Sequence, residues 1–296
     1  MAGPAQPEGR QGYGDTFREM EKLGIRQATP CRPVDLQCQS EPGRVLYTVG
    51  PRRWSFDKEW KRGQIQKTHD FLRRAIAERK RNLCVIVGNG PSLAQTNLDL
   101  LKDQDVIISN NSFLSPNLTR LARYYTVVNY LVADQGFQHI NRLSGIIKIL
   151  PYWLSYCLHE GPDTYFIDAV GYPEFSKDIF KNVSWRHTVS FFNLHIAYGL
   201  GYRKVALVGF DHNYKQDPTV REGEVICSQA DDVNHFHPDY FRGKKWQAAD
   251  VTQMEAMYRL AKDAYESEGR VIVNATVGGH LELFPRESLD VVVKGA

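Results

Sequence analysis

Residues Leu83 to Leu93 read LCVIVGNGPSL, a short apolar run that empties into Gly-Asn-Gly-Pro-Ser. This order of residue types suits phosphate chemistry. Gly88 and Gly90 permit positive φ and a close approach of a ligand to the backbone. Pro91 fits the first turn of a helix, where its missing N–H is not needed. Ser92 adds a hydroxyl beside the free amides of that helix start. The dinucleotide fingerprint is incomplete, because Leu93 stands where a third glycine would be. Gly88, Asn89, Gly90 and Ser92 are therefore candidates for holding a nucleotide other than NAD.

A second constellation runs from Asp231 to Tyr240, DDVNHFHPDY, with two histidines and three carboxylates close together. One reading is a general base, since imidazole can take a proton from an attacking hydroxyl near neutral pH. A second is a metal site, since HxH with a carboxylate can bind zinc or manganese. A third is a solvated loop in which Asp and Asn cap turns and His237 bonds to backbone. Arg186, in Trp185-Arg186-His187-Thr188, can clamp a phosphate or carboxylate or be an ordinary surface arginine. Thr188 is a reasonable helix cap. Asp103-Gln104-Asp105 is formally a D-x-D, but it precedes a strand and reads as a solvated turn at the wrong edge of a sheet.

The elements that would carry these residues follow from periodicity. A charged amphipathic helix is expected over 57–81, with Trp60, Ile65, His69, Phe71, Leu72 and Ile76 at near-helical spacing. Strands are expected at 83–88, 105–109, 124–128, 146–150, 204–209 and 270–274, with helices at 188–200 and 249–268. Gly201 and Gly269 stop those two helices. The alternation favours an α/β fold with a mainly parallel sheet covered on both faces. Ligands then collect outside the carboxyl ends of the strands. Asn89, Asn110, Asn111, Asn129, Asp134, Asp211, Asn274 and Thr276 fall there. Such residues suit ribose, phosphate or base edges, and the alternative for about half of them is turns and caps.

With 296 residues and 42% hydrophobic content, the chain can bury a substantial core. Its formal net charge of +3 is too mild to demand nucleic acid. Five scattered cysteines without CxxC spacing suit a reduced, cytoplasmic protein, and Cys31 and Cys38 are expected to stay free. The N-terminus has no secretory pattern, and no apolar run is long enough for a transmembrane segment. Residues 1–55 read as an extended or partly disordered arm and 56–290 as the nucleotide-binding domain, with 212–248 a lid or active-site loop. The run RRWSFDKEWKR, 52–62, has two readings. One is contact with the inner face of a membrane or an anionic polymer; the other, favoured by its acidic members, is a snorkelling surface helix. The sequence is compatible with an oligomer.

GNGPSL, Asn110, Asn129, Arg186-His187-Thr188, Leu200-Gly201-Tyr202, Gly209-Phe210-Asp211 and Asn234-His235 together resemble the bacterial sialyltransferase family that decorates lipooligosaccharides. Order and approximate spacing match from about residue 83 to 275. The resemblance implies a Rossmann-like, single-domain GT-A-like fold with a lid and a CMP-sugar donor. It also implies a glycan acceptor, inversion at the anomeric carbon, and no cofactor or metal in the chemistry. It implies that Asn89, Asn110 and Asn129 contact the CMP ribose and phosphate, that Arg186 and Thr188 lie beside the nucleotide, and that His235 is the base. Val189 replaces a family Ser. The family's phosphate-binding tyrosine pair is represented by Tyr214, displaced by one, with Asn213 in the expected place. NHFHPDYF and the segment Asn274 to Arg286, with Phe284-Pro285-Arg286 at its end, are similar to uncharacterised glycosyltransferase-like proteins often grouped with the MptE-like 6-hydroxymethylpterin diphosphokinases. That alternative implies ATP and a magnesium ion held by Asp211, Asp231 or Asp232. A catalytically silent nucleotide-binding module is a third reading.

Overall fold

The computed structural model describes residues 39–41, 44–46 and 58–295. The rest of the expected arm, Cys31 and Cys38, and most of the 52–62 run lie outside the described residues. Strands β1 (Gln39–Glu41) and β2 (Arg44–Leu46) form an antiparallel pair. They precede α1 (Lys58–Ala77), β3 (Leu83–Val87), β4 (Asp105–Ser109), α2 (Pro116–Leu121), β5 (Tyr124–Thr126) and α3 (Tyr130–Arg142). Next come β6 (Ile147–Pro151), β7 (Thr164–Ile167), β8 (Ala169–Val170), β9 (Val183–Ser184), α4 (Val189–Gly199) and β10 (Lys204–Val208). The chain continues through β11 (Val225–Cys227), β12 (Lys245–Gln247), α5 (Val251–Glu266), β13 (Val271–Asn274) and α6 (Leu289–Lys294).

Seven of these strands make one parallel sheet in the order β13-β10-β3-β4-β5-β6-β7. Leu83, Val85, Val87, Val106 and Ile108 pack into one core. Cys84, Ile86 and Ile107 pack into the other, with Phe191 and Leu194 of α4. Because both faces are covered, these strands read as unbroken apolar runs rather than alternating ones. Each fully buried Leu or Ile contributes roughly 1.5–3 kcal/mol of transfer free energy. The chain runs outward from β3 to β7, then returns to lay β10 and β13 on the other side of β3. The order therefore reverses between β3 and β10, which opens a crevice at their carboxyl ends.

Several local expectations are corrected. No α-helix follows Gly90; Pro91–Gln95 is a single 3₁₀ turn. The Thr96 hydroxyl takes the Ser92 carbonyl at 3.1 Å, and the Thr96 amide turns to Leu93 O, also at 3.1 Å. That side-chain bond competes with the i→i−4 ladder and ends the helix at one turn. Asp105 is not in a solvated turn. It opens β4, is buried, and accepts hydrogen bonds from Arg123 Nη1 and the Tyr202 hydroxyl, both at 2.7 Å. It does lie at the amino edge of the sheet, away from the crevice. Trp60 donates to Glu160 Oε1 at 2.6 Å and packs on Tyr152 and Phe166, so the described end of the basic run folds onto the body. Leu289 and Val292 of α6 are buried, which carries the packed body past residue 290. Among the described residues no helix is long and apolar enough to cross a membrane.

Candidate functional site

The loops after β3 and β10 interlock at the point where strand order reverses. Gly88 N–H donates to Val208 O at 2.7 Å and Gly90 N–H to Gly209 O at 3.0 Å. A Cβ on Gly88 would stand 2.4 Å from Gly209 O. Neither glycine uses positive φ, whereas Gly209 does, at +73°. Ser92 gives its amide to Asp211 Oδ1 at 3.0 Å and its hydroxyl to Asp211 Oδ2 at 2.7 Å. The direction a Cβ would take on Gly88 and Gly90, and the donors of Ser92, are thus taken up by this chain's own Gly209–Asp211 segment, while Gly88–Gly90 still face a cavity.

Two adjoining cavities lie above this floor. The smaller, about 120 Å³, is polar and is lined by Gly88–Gly90, Asn110, Gly209–Tyr214, Asn234 and His235, with Ser190 and Tyr258 beyond. The larger, about 440 Å³, has aromatic walls from Tyr130, Trp153, Trp185, Phe241 and Trp246, with Asn129, Arg186 and His187 among its polar members. Asn110, Thr188, Val189, Tyr214 and His235 line both. Burial pushes the hydroxyls of Tyr214, Tyr240 and Tyr258 above the usual phenol range, so they act as neutral donors.

His235 sits on the shared wall. Its Nδ1 lies 2.9 Å from Asp232 Oδ2, and the Asp232 side chain is only 6% exposed. The imidazole stacks on Tyr240 with centroids 4.0 Å apart and planes at 2°, and meets Phe241 edge-on at 5.1 Å. A carboxylate on Nδ1 fixes the tautomer and leaves Nε2 to exchange a proton with a ligand. Asn234 holds this loop against 212–216, accepting from the Lys215 amide at 2.7 Å and donating to its carbonyl at 2.9 Å. His237 lies outside both linings, and its Nδ1 accepts the Asp239 amide at 3.1 Å. Among the described residues no cluster of three or more His, Cys, Asp or Glu converges as a metal site. Asp211 is bound to Ser92, Asp231 pairs with Arg242 at 3.1 Å, and Asp232 holds His235. The three aspartates thus have separate side-chain partners.

The polar set after the strands divides in half. Asn89, Asn110, Asn129 and Asp211 line the cavities. Asn89 accepts from the Ser112 hydroxyl at 2.7 Å, and Asn129 both caps α3 and donates to Gln247 Oε1 at 2.9 Å. The others serve the fold. Asn111 donates to Tyr240 O, Asp134 accepts from the Tyr156 hydroxyl, and Asn274 bridges Leu281 O and the Thr276 amide. Thr188 caps α4 through Ser190 N at 3.2 Å, as its type suggested.

Backbone strain marks the same place. Among the described residues, the non-glycine positions with positive φ are Asn110 (55°), His187 (60°) and His212 (52°), and each lines one or both cavities. His212 is fixed by Glu255 Oε1 at 3.1 Å. Such strain costs of order 1–3 kcal/mol per residue and clusters at functional sites. Sequence reading missed His187, His212, Asp232 as the partner of His235, and the tryptophans of the larger cavity. Only Asp232 carried a local signal, its D-x-x-H spacing.

The segment 212–248 contributes residues to both linings and carries β11 and β12, paired antiparallel. The Gln135 carboxamide closes two bonds with the Lys245 backbone, donating at 2.7 Å and accepting at 2.8 Å. Phe236 N–H donates to Asn89 O at 2.9 Å.

No protein-family model matches the chain, and no curated protein matches it. Among solved structures, the MAf glycosyltransferase from Magnetospirillum magneticum AMB-1 is similar at 14% identity and a TM-score of 0.46. The match covers 71% of this chain and 34% of that one, so the chain spans about a third of that protein's length. A likeness this distant carries no activity over to this chain.

Proposed function

We propose that the protein is a glycosyltransferase that moves a sugar from a nucleotide-activated donor, CMP-linked and acidic, to a hydroxyl of a glycan acceptor. The observation that carries this reading is the Asp232–His235 pair on the wall shared by a polar and an aromatic cavity, at the carboxyl ends of β3 and β10. A base at that boundary can serve a reaction between two ligands. In the proposed step, His235 Nε2 takes the acceptor proton while the acceptor oxygen bonds to the anomeric carbon. The bond from that carbon to the donor phosphate oxygen breaks, and the nucleotide leaves with its electron pair from the opposite face, inverting the centre. Asp232 stabilises the imidazolium that forms. The Asn110 carboxamide and the hydroxyls of Thr188 and Tyr214 are suited to meet charge developing on the leaving phosphate.

The test is transfer from CMP-, UDP- and GDP-sugars to a labelled glycan in EDTA. Turnover from a CMP-sugar is expected in wild type, with a loss of about 10²–10⁴ in kcat for His235→Ala, the range for a general base. Asp232→Asn is expected to lower kcat while leaving CMP binding intact. Turnover that needs ATP and magnesium, with a pterin alcohol as acceptor, would replace this reading with the diphosphokinase.

A further inference from the structure

His187 stands at the centre of a three-residue turn, because the Thr188 amide bonds back to Arg186 O at 2.8 Å. With φ at +60° this is the strained, positive-φ form of the γ-turn, which is rare for any residue with a Cβ. The next residue caps α4, so the turn sits where a looser loop would serve capping equally well. A clue to its purpose is the side chain. Arg186 Nε donates to His187 Nε2 at 2.9 Å. An arginine only donates, so Nε2 must be the bare nitrogen of a neutral imidazole that carries its proton on Nδ1. Both residues line the larger cavity beside Thr188 and Asn110.

We propose that His187 is a positioning residue: as a neutral acceptor it holds the Arg186 guanidinium on the wall of the larger cavity as the recognition group for the anionic part of the ligand, a phosphate or a carboxylate. The guanidinium matches either anion through its planar fork of donors. The charged groups facing His187 are Arg186 on its own loop and Asp250 at the start of α5. Burial, then the Arg186 charge, lower the His187 pKa from its ordinary value, against the opposing pull of Asp250. The acceptor is therefore in place at neutral pH and is lost as pH falls below the ordinary imidazole range, when protonated His187 can no longer accept and repels Arg186. The inference leans on the donor reading only for its choice of probes.

Two measurements on the full chain test it. Imidazole ¹⁵N spectra at pH 7.5, assigned by comparison with His187→Gln, are expected to show His187 protonated on Nδ1; protonation on Nε2 would overturn the contact. Affinities for CMP against cytidine, and for N-acetylneuraminic acid against its methyl ester, then separate phosphate from carboxylate recognition. His187→Gly relieves the turn but removes the acceptor. It is expected to raise the unfolding midpoint while weakening the preferred anion about tenfold relative to its neutral counterpart, the scale of one charge-assisted hydrogen bond. His187→Gln, whose Oε1 accepts without titrating, is expected to restore that preference and to remove its extra acid sensitivity, with phosphate's own titration common to both proteins. A purely structural His187 would leave the anion preference unchanged in the Gly variant, and wild type with no preference for either anion would overturn the recognition role. Sugar transfer is read separately through His235, so either conclusion can fail without the other.

Discussion

A Cβ placed on Gly90 would stand 1.8 Å from Asp211 Oδ2 and 2.8 Å from Gly209 O, whereas one on Gly63 in α1 would meet nothing within 4 Å. Gly90→Ala is expected to destabilise the protein by about 2–3 kcal/mol through overpacking. Gly63→Ala is expected to stabilise it by up to about 1 kcal/mol, the helix propensity difference. Urea unfolding of the two variants checks both signs. The glycine-rich motif thus signalled a close approach correctly but not what approaches, because Asp211 is remote in sequence and nothing local to residues 88–92 reveals it. The 231–240 constellation was legible from its residue types, and His235 was singled out within it only by the family resemblance; that His235 lines both cavities and His237 neither depends on tertiary packing that the local sequence does not show. The asparagines were legible as a set, yet Asn129 caps a helix and lines a cavity at once, so the two explanations of such a residue do not exclude each other.

The central strands and the long helices were read from periodicity with boundaries shifted by a few residues. β7 was missed because a four-residue run, TYFI, between Gly161-Pro162 and Asp168 is too short to show a period. α3 was missed because Asp134, Gln135 and Gly136 interrupt its apolar pattern. Two of those residues have tertiary duties that override propensity. Asp134 receives the Tyr156 hydroxyl, and Gln135 acts as a surrogate strand residue for Lys245. Gln135→Ala removes both bonds to the β11–β12 hairpin. Amide hydrogen exchange in residues 224–228 and 244–248 is expected to accelerate severalfold, with global stability lowered by about 1–2 kcal/mol. Equal acceleration across the central sheet would instead mean that the hairpin does not open by itself.

Stability of the folded body as a unit depends on a histidine that has no part in the candidate site. His195 in α4 is buried against Phe175 and Phe191, its Nδ1 bonds to Phe191 O at 3.0 Å, and its Nε2 accepts the Ser176 amide at 3.1 Å. Burial holds its pKa down at about 4, against 6.5 for the unfolded residue. Between those values the unfolded chain binds the extra proton, so stability rises with pH across the window and is lost as pH falls from 6.5 towards 4. The loss amounts to about 3 kcal/mol. His195→Gln, which cannot charge, is expected to lack this component when urea midpoints are compared at pH 7 and pH 4.5.

The pairing of β3 with β10 joins Leu83 to Lys204. On a ribosome this means that β3, with its sequence LCVIV, is made, and β4 to β7 can dock on one side of it, long before its other edge has a partner. An unpaired, apolar edge is a template for association with other chains. Through the synthesis of more than a third of its length the nascent protein therefore carries an unpaired apolar strand edge at the place where the crevice of the candidate site will form.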